Sequence, residues 1–106
     1  MVREKYFVSE NYKDTNIALL IENLPSLRAR IGISQEELAS VLGVSRQTYY
    51  SLETGKREMS WTFFLAIVFV FASVKETSEM IQALKIFPSG LFEQLNGTLE
   101  GMKIEQ

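Results

Sequence analysis

The sequence predicts an all-α protein, and three features predict it. Apolar residues recur at spacings of three and four along several stretches, the period of one helix face. Serine, aspartate or asparagine stands ahead of those stretches, where a side-chain oxygen can cap the first turn. Glycine stands behind most of them, where a left-handed residue can end a helix. A chain of 106 residues is one domain's length, and its 46% hydrophobic content is enough to bury a core. It contains no cysteine and no histidine. That excludes a disulfide framework, a thiolate metal site, a histidine-ligated zinc and a histidine general base, so neither a metal nor a cofactor is expected. The opening Met1-Val-Arg-Glu-Lys-Tyr has no apolar signal core. The longest apolar run, Phe63–Ala72, falls short of the about 20 residues that a membrane span needs. A cytoplasmic protein that does not use membranes is expected.

Residues 1–22 read as an N-terminal extension. Tyr6-Phe7-Val8 fits a short strand or a packed tail, and Asp14 caps a helical stretch over Ile17–Ile21. Pro25 follows closely. Proline suits a first helical turn and disrupts a helix interior. A break is therefore expected near Asn23, with Asn23 capping a new helix Leu24–Ile31 and Gly32 ending it. Leu24, Leu27, Arg28 and Ile31 share one face of that helix.

Ser34-Gln35-Glu36-Glu37 is a capping box, in which the serine caps and Glu37 returns to the serine amide. The helix it opens runs to about Leu42, with Leu38, Ala39 and Leu42 inward, and Gly43 ends it. Ser45 caps a third helix, Arg46–Glu53, closed by Thr54-Gly55. Ser60 caps a fourth, Trp61–Ala72. A fifth begins near Ser73, where Ser73-Val-Lys-Glu76 has the form of another box, and ends before Pro88. Gly90–Asn96 reads as one more short helix, stopped by Gly97. Residues 23–87 then form the main domain and residues 88–106 a C-terminal helical segment, a candidate dimerisation element.

Two helices joined by a short glycine-containing turn make a helix-turn-helix unit. Here it is Ser34–Leu42, Gly43-Val44-Ser45 and Arg46–Glu53. Gly43 permits the positive φ of a sharp turn. Val44 plugs the angle between the helices, and the small Ala39 lets them approach. Ser45 leaves the first amides of the next helix facing outward, where they can meet a phosphate. The outward face of that helix reads Arg46, Gln47, Tyr50, Ser51 and Thr54, and arginine and glutamine match guanine and adenine edges in the major groove. The net charge is −2, unlike most nucleic-acid binders. The cations are concentrated, however. From Arg28 to Arg57, five basic residues face three acids, whereas residues 1–27 carry −1 and residues 58–106 carry −3.

The run Leu27-Arg28, Gly32-Ile33-Ser34-Gln35-Glu36-Glu37-Leu38-Ala39, Leu42-Gly43-Val44-Ser45-Arg46-Gln47-Thr48, Leu52-Glu53-Thr54-Gly55-Lys56-Arg57 resembles the lambda-repressor-like helix-turn-helix family (XRE, Cro/CI type) over roughly Leu24–Ala72. The resemblance implies a five-helix DNA-binding domain, here with an N-terminal extension and an additional C-terminal segment. It implies that Gln35 bonds a DNA phosphate and braces the recognition helix. Arg46 and Gln47 reach base edges, and Tyr50 and Ser51 lie along the groove. Thr54, Lys56 and Arg57 hold the sugar-phosphate backbone. Arg28 and Glu53 form a partly buried bridge between the first and third helices, and Leu38, Ala39, Val44, Leu52 and Ile67 form a small core. A sequence-specific transcriptional regulator follows, a repressor-type homodimer on double-stranded DNA.

Two departures from the family pattern stand out, one in the third helix and one in the fourth. Tyr49 stands where isoleucine or valine is usual, so its hydroxyl needs a partner or a path to water. Phe63, Ala66, Phe69 and Val70 occupy positions of the fourth helix that are commonly polar. A helix apolar nearly all round should be buried nearly all round, covered by the N-terminal extension, by residues after Phe87 or by a second subunit. Leu91, Phe92 and Leu95, with Leu99 and Met102, add further apolar surface for a dimer seam. The apolar excess and acidic flanks also fit an interaction module that kept the fold, such as an antitoxin bound to a toxin. No nucleophile-base pair, metal cluster or phosphate loop points to an enzyme, and Glu36 and Glu37 face different sides of their helix.

Overall fold

The computed structural model describes residues 8–105, and the side chains of residues 8–97. The described residues form six helices: α1 (Glu10–Ile31), α2 (Gln35–Leu42), α3 (Arg46–Glu53), α4 (Trp61–Ser73), α5 (Lys75–Ala83) and α6 (Ser89–Glu105). Helix α1 packs against α3, α4 and α5, while α2 pairs with α3 and α4 with α5. The expectation for Tyr6 and Phe7 falls outside the described residues.

The expected break near Asn23 is absent. Helix α1 is continuous across it, capped by Ser9, whose hydroxyl accepts from the Tyr12 N–H at 3.2 Å. Asp14 lies inside the helix, exposed. Asn23 does not cap either: its Nδ2 donates to the Leu19 carbonyl at 2.8 Å, one turn back. Pro25 sits inside the helix with its ring on the exposed face. On the opposite face Leu20, Leu24 and Leu27 are completely buried. An interior proline costs about 3 kcal/mol, whereas each buried leucine contributes about 1.5–3 kcal/mol. Packing therefore overrides the local penalty, and residues 1–22 and 23–87 are joined by one helix.

The second and third helices follow their local signals. The Ser34 hydroxyl accepts from the Glu37 N–H at 3.0 Å while the Glu37 carboxylate accepts from the Ser34 N–H at 2.9 Å. The same contact holds the Glu37 carboxyl below its ordinary pKa. Gly43 ends α2 at φ 77°. Leu38 and Ala39 are buried between the helices, joined by Tyr49 and Leu52 of α3.

Ser60 caps α4 as expected, accepting from the Phe63 N–H at 3.1 Å. Phe64, Ile67, Val68 and Phe71 form its buried face. Trp61 stacks on Phe64 at 4.6 Å and meets Tyr12 in an edge-to-face contact at 6.1 Å. Burial all round, however, is not found: Phe69 is 72% exposed, Ala66 is exposed, and Phe63 and Val70 are half-buried. Helices α1 and α5 pack on the inner side, and no described residue seals the outer one.

Ser73 does not cap α5. It ends α4, with its hydroxyl donating to the Phe69 carbonyl at 2.7 Å. Val74 makes the corner, and the buried Thr77 hydroxyl ties α5 back to α4 through the Phe71 carbonyl at 2.7 Å. Gly97 does not stop the last helix either. α6 runs through it to Glu105, since glycine weakens a helix without forbidding one. The first turn of α6 lies beside the start of α1, where Val8 and Tyr12 face Leu91 and Gln94 across a surface hollow of about 380 Å³. Phe92 stacks on Phe87 at 5.5 Å, while residues 92–97 are all exposed. Among the described residues no helix is long and apolar enough to cross a membrane.

Candidate nucleic-acid interface

Helix α3 has two faces with different tasks. Its inner edge carries Tyr49 and Glu53, one turn apart and both buried. Glu53 gathers donors from three helices. Arg28 of α1 approaches in fork geometry, Nε to Oε1 at 2.8 Å and Nη2 to Oε2 at 3.2 Å. Gln35, in the first turn of α2, donates its amide to Oε2. The Tyr49 hydroxyl donates to Oε1 at 2.9 Å. Arg28 also reaches the Ile33 carbonyl at 3.3 Å. A carboxylate has about four lone-pair sites, and all four are occupied.

The electrostatics follow. Burial by itself would raise the Glu53 pKa, but the bonds from Arg28, Gln35 and Tyr49 outweigh it and hold the carboxyl below its ordinary value. Burial, and then the bond to Glu53, push the Tyr49 phenol far above its ordinary value. The bond to Glu53 holds the Arg28 guanidinium charged. The family resemblance implied an Arg28–Glu53 pair, and Tyr49 was expected to need a hydroxyl partner or a path to water. It did not anticipate that one carboxylate meets both needs, although Tyr49 and Glu53 stand at the i,i+4 spacing that brings side chains together.

The outer face of α3 is free of this network. Arg46, Gln47 and Tyr50 are exposed and line one shallow hollow, and Ser51 is half-buried beside them. Ser45 accepts from the Thr48 N–H at 3.0 Å and donates to the Thr48 hydroxyl at 2.9 Å. Its hydroxyl is thus a cap, and the amides of Arg46 and Gln47 are the groups left at the helix end. A second hollow brings Arg46 together with Gln35, Ser34, Glu36 and Arg28. There Gln35 has one amide hydrogen on Glu53, which leaves its second hydrogen for an outside acceptor. Glu36 is the unfavourable neighbour for an anion.

Beyond α3 the chain turns at Gly55, φ 77°, and the Arg57 N–H returns to the Ser51 carbonyl at 3.0 Å. This tethers the exit loop that carries Lys56 and Arg57, both exposed. The Lys56 ammonium lies 5.3 Å from the centre of the Tyr50 ring, a cation-π distance. The Thr54 hydroxyl donates to the Tyr50 carbonyl at 2.8 Å, so as it stands it can offer an outside group only an acceptor. Of the apolar residues read as a dimer or cover surface, Phe69, Phe92 and Leu95 are exposed, and Phe63, Val70 and Leu91 are half-buried. Phe92 and Leu91 stand at the α1–α6 end, away from the cationic face of α3.

No curated protein and no solved structure matches the chain. Residues 22–72, from within α1 to the last turn of α4, match the family model of a helix-turn-helix domain.

Proposed function

We propose that the chain is a sequence-specific DNA-binding transcriptional regulator of the XRE type, cytoplasmic, reading the major groove with α3 as a homodimer. One observation carries this reading. Arg46, Gln47 and Tyr50 share the exposed face of α3, while Glu53 on its underside fixes that helix against α1 and α2. A recognition helix needs both: side chains able to match base edges, and a rigid support that sets their register. The helix-turn-helix match supports it as well. In this reading Arg46 and Gln47 contact bases and Tyr50 and Ser51 lie along the groove. Gln35, Lys56, Arg57 and the α3 amides behind Ser45 bind phosphate, and Thr54 positions the exit turn.

Selection of bound duplexes from a random pool tests the reading. A defined motif with two-fold symmetry is expected, its half-sites about one helical turn apart. On that motif Arg46→Ala and Gln47→Ala should each weaken binding by about 1–3 kcal/mol. Lys56→Ala should weaken binding to all sequences and flatten the salt dependence by about one counterion. A purified chain with no salt-dependent affinity for any duplex would end the proposal.

A further inference from the structure

Tyr50 is the aromatic side chain on the exposed face of α3, with 42% of its surface open to water. The hydrogen bonds that hold this residue from the exit turn go to its carbonyl, from the Thr54 N–H at 3.0 Å and the Thr54 hydroxyl at 2.8 Å. The ring itself is met by Lys56, whose ammonium lies 5.3 Å from the ring centre. A cation at that distance is attracted to the ring and steadies it. The exit loop that carries Lys56 is itself tethered by the Arg57 N–H on the Ser51 carbonyl. Lys56 does not line the hollow that Tyr50 shares with Arg46 and Gln47. The ring is thus braced from the loop side and open toward the two polar side chains.

What such a surface can recognise in a duplex is narrow. An aromatic ring offers a base edge an apolar contact. In the major groove the apolar group that distinguishes one base pair from another is the C5-methyl of thymine, and 5-methylcytosine carries the same group. Position narrows it further. Arg46 stands one turn before Tyr50, about 6 Å along the helix axis, against about 3.4 Å per base step. A methyl on the ring therefore falls within about two base pairs of a guanine under Arg46. Gln47 lines the same hollow and matches adenine, the partner of thymine. We propose that Tyr50 reads the C5-methyl of a thymine, so that the bound sequence carries a T·A pair within about two base pairs of a G·C pair. This inference rests on α3 entering the major groove, and it assigns to Tyr50 a share of the sequence choice.

Replacing thymine by uracil tests it, because the exchange removes one methyl and leaves the hydrogen-bonding edges intact. The duplex selected from the random pool is remade with each thymine replaced in turn. At one thymine position of the motif, uracil should weaken binding by about fourfold, the cost of leaving one methyl group unburied. Tyr50→Ala should erase that penalty at the same thymine. Tyr50→Phe should keep it, since the ring and not the hydroxyl makes the contact. Circular dichroism should be unchanged in both variants. A 5-methylcytosine·guanine pair at that position should bind more tightly than cytosine·guanine by a similar factor, and more weakly than the T·A pair, because Gln47 loses its adenine. Methylated cytosine binding as tightly as thymine overturns the assignment to thymine. A motif with no thymine whose replacement costs affinity, or a uracil penalty that survives Tyr50→Ala, overturns the methyl contact and leaves the DNA reading standing. A chain that selects no duplex defeats both.

Discussion

Around Glu53 each polar group has a partner, whereas around Phe69 there is almost no polar group to pair. Four hydrogen bonds from three side chains converge on the Glu53 carboxylate, and no buried side-chain polar atom is left unsatisfied among the described residues. Such a network is directional. It allows one placement of α3 relative to α1 and α2, because any slip strands a buried charge. The outer face of α4 is held by no directional contact from another described element. One side of the molecule is held by directed bonds, and the other is an apolar face open to water.

The contrast can be broken most forcefully at Glu53. Glu53→Ala should destabilise the fold by about 3–5 kcal/mol in denaturant unfolding, since it strands the Arg28 guanidinium and two further donors. A loss below about 1 kcal/mol would show that the network is decorative. Acid should act in the same direction. The folded-state pKa of Glu53 lies below its ordinary value, so its stabilisation is complete above that value, near 4.5, and is lost as pH falls through the lower folded value. Melting temperature should drop on acidification below pH 4.5 in the wild type and less steeply in Glu53→Gln, with Glu37 retaining a share of the slope. Tyr49 acts at the other extreme. Its raised pKa means that the neutral phenol stabilises the fold below pH 10 and that this contribution fades in alkali.

Helix α1 belongs to both sides, reaching Glu53 through Arg28 and α4 through Tyr12. Pro25→Ala restores a donor to its ladder without disturbing the buried leucines. It should stabilise the chain by about 1–3 kcal/mol, read as a higher denaturation midpoint at unchanged slope. Tyr49→Phe removes one of the donors to Glu53 and no apolar area, so a loss near 1 kcal/mol is expected. The smallest effect belongs to Phe69. As a residue exposed in the single chain, Phe69→Ala should change unfolding free energy by less than about 0.5 kcal/mol at dilute protein. A larger loss would mean that α4 is covered within one chain.

The helix-turn-helix segment was legible because its signals are local. Ser34, Glu37, Gly43 and Ser45 each act on residues within one turn, and a local cause leaves a local mark. The outward placement of Arg46 and Gln47 followed from the same spacing. Three errors share an opposite cause. Pro25, Ser73 and Gly97 were read by their propensities as a break, a cap and a stop, but packing and back-bonding decided otherwise. The Gln35 and Tyr49 bonds to Glu53 were not legible as a set, because Gln35 and Glu53 meet only after α2 and α3 have turned together. Composition flagged α4 as unusual, but only the fold showed which half of it stays wet.

Pro25 also sets the order in which the molecule can assemble. A helix in a protein draws most of its stability from tertiary packing, and this one lacks an interior rung at Pro25. Its leucines gain their burial from α4 and α5, which are made later in synthesis. Helix α1 is made before the helices that bury its leucines, so it settles only after them. Until residues 61–83 emerge, α2 and α3 can pair through neighbouring contacts, but Arg28 has no fixed helix from which to reach Glu53. The cationic face of α3 gains its support only once the later helices have been made.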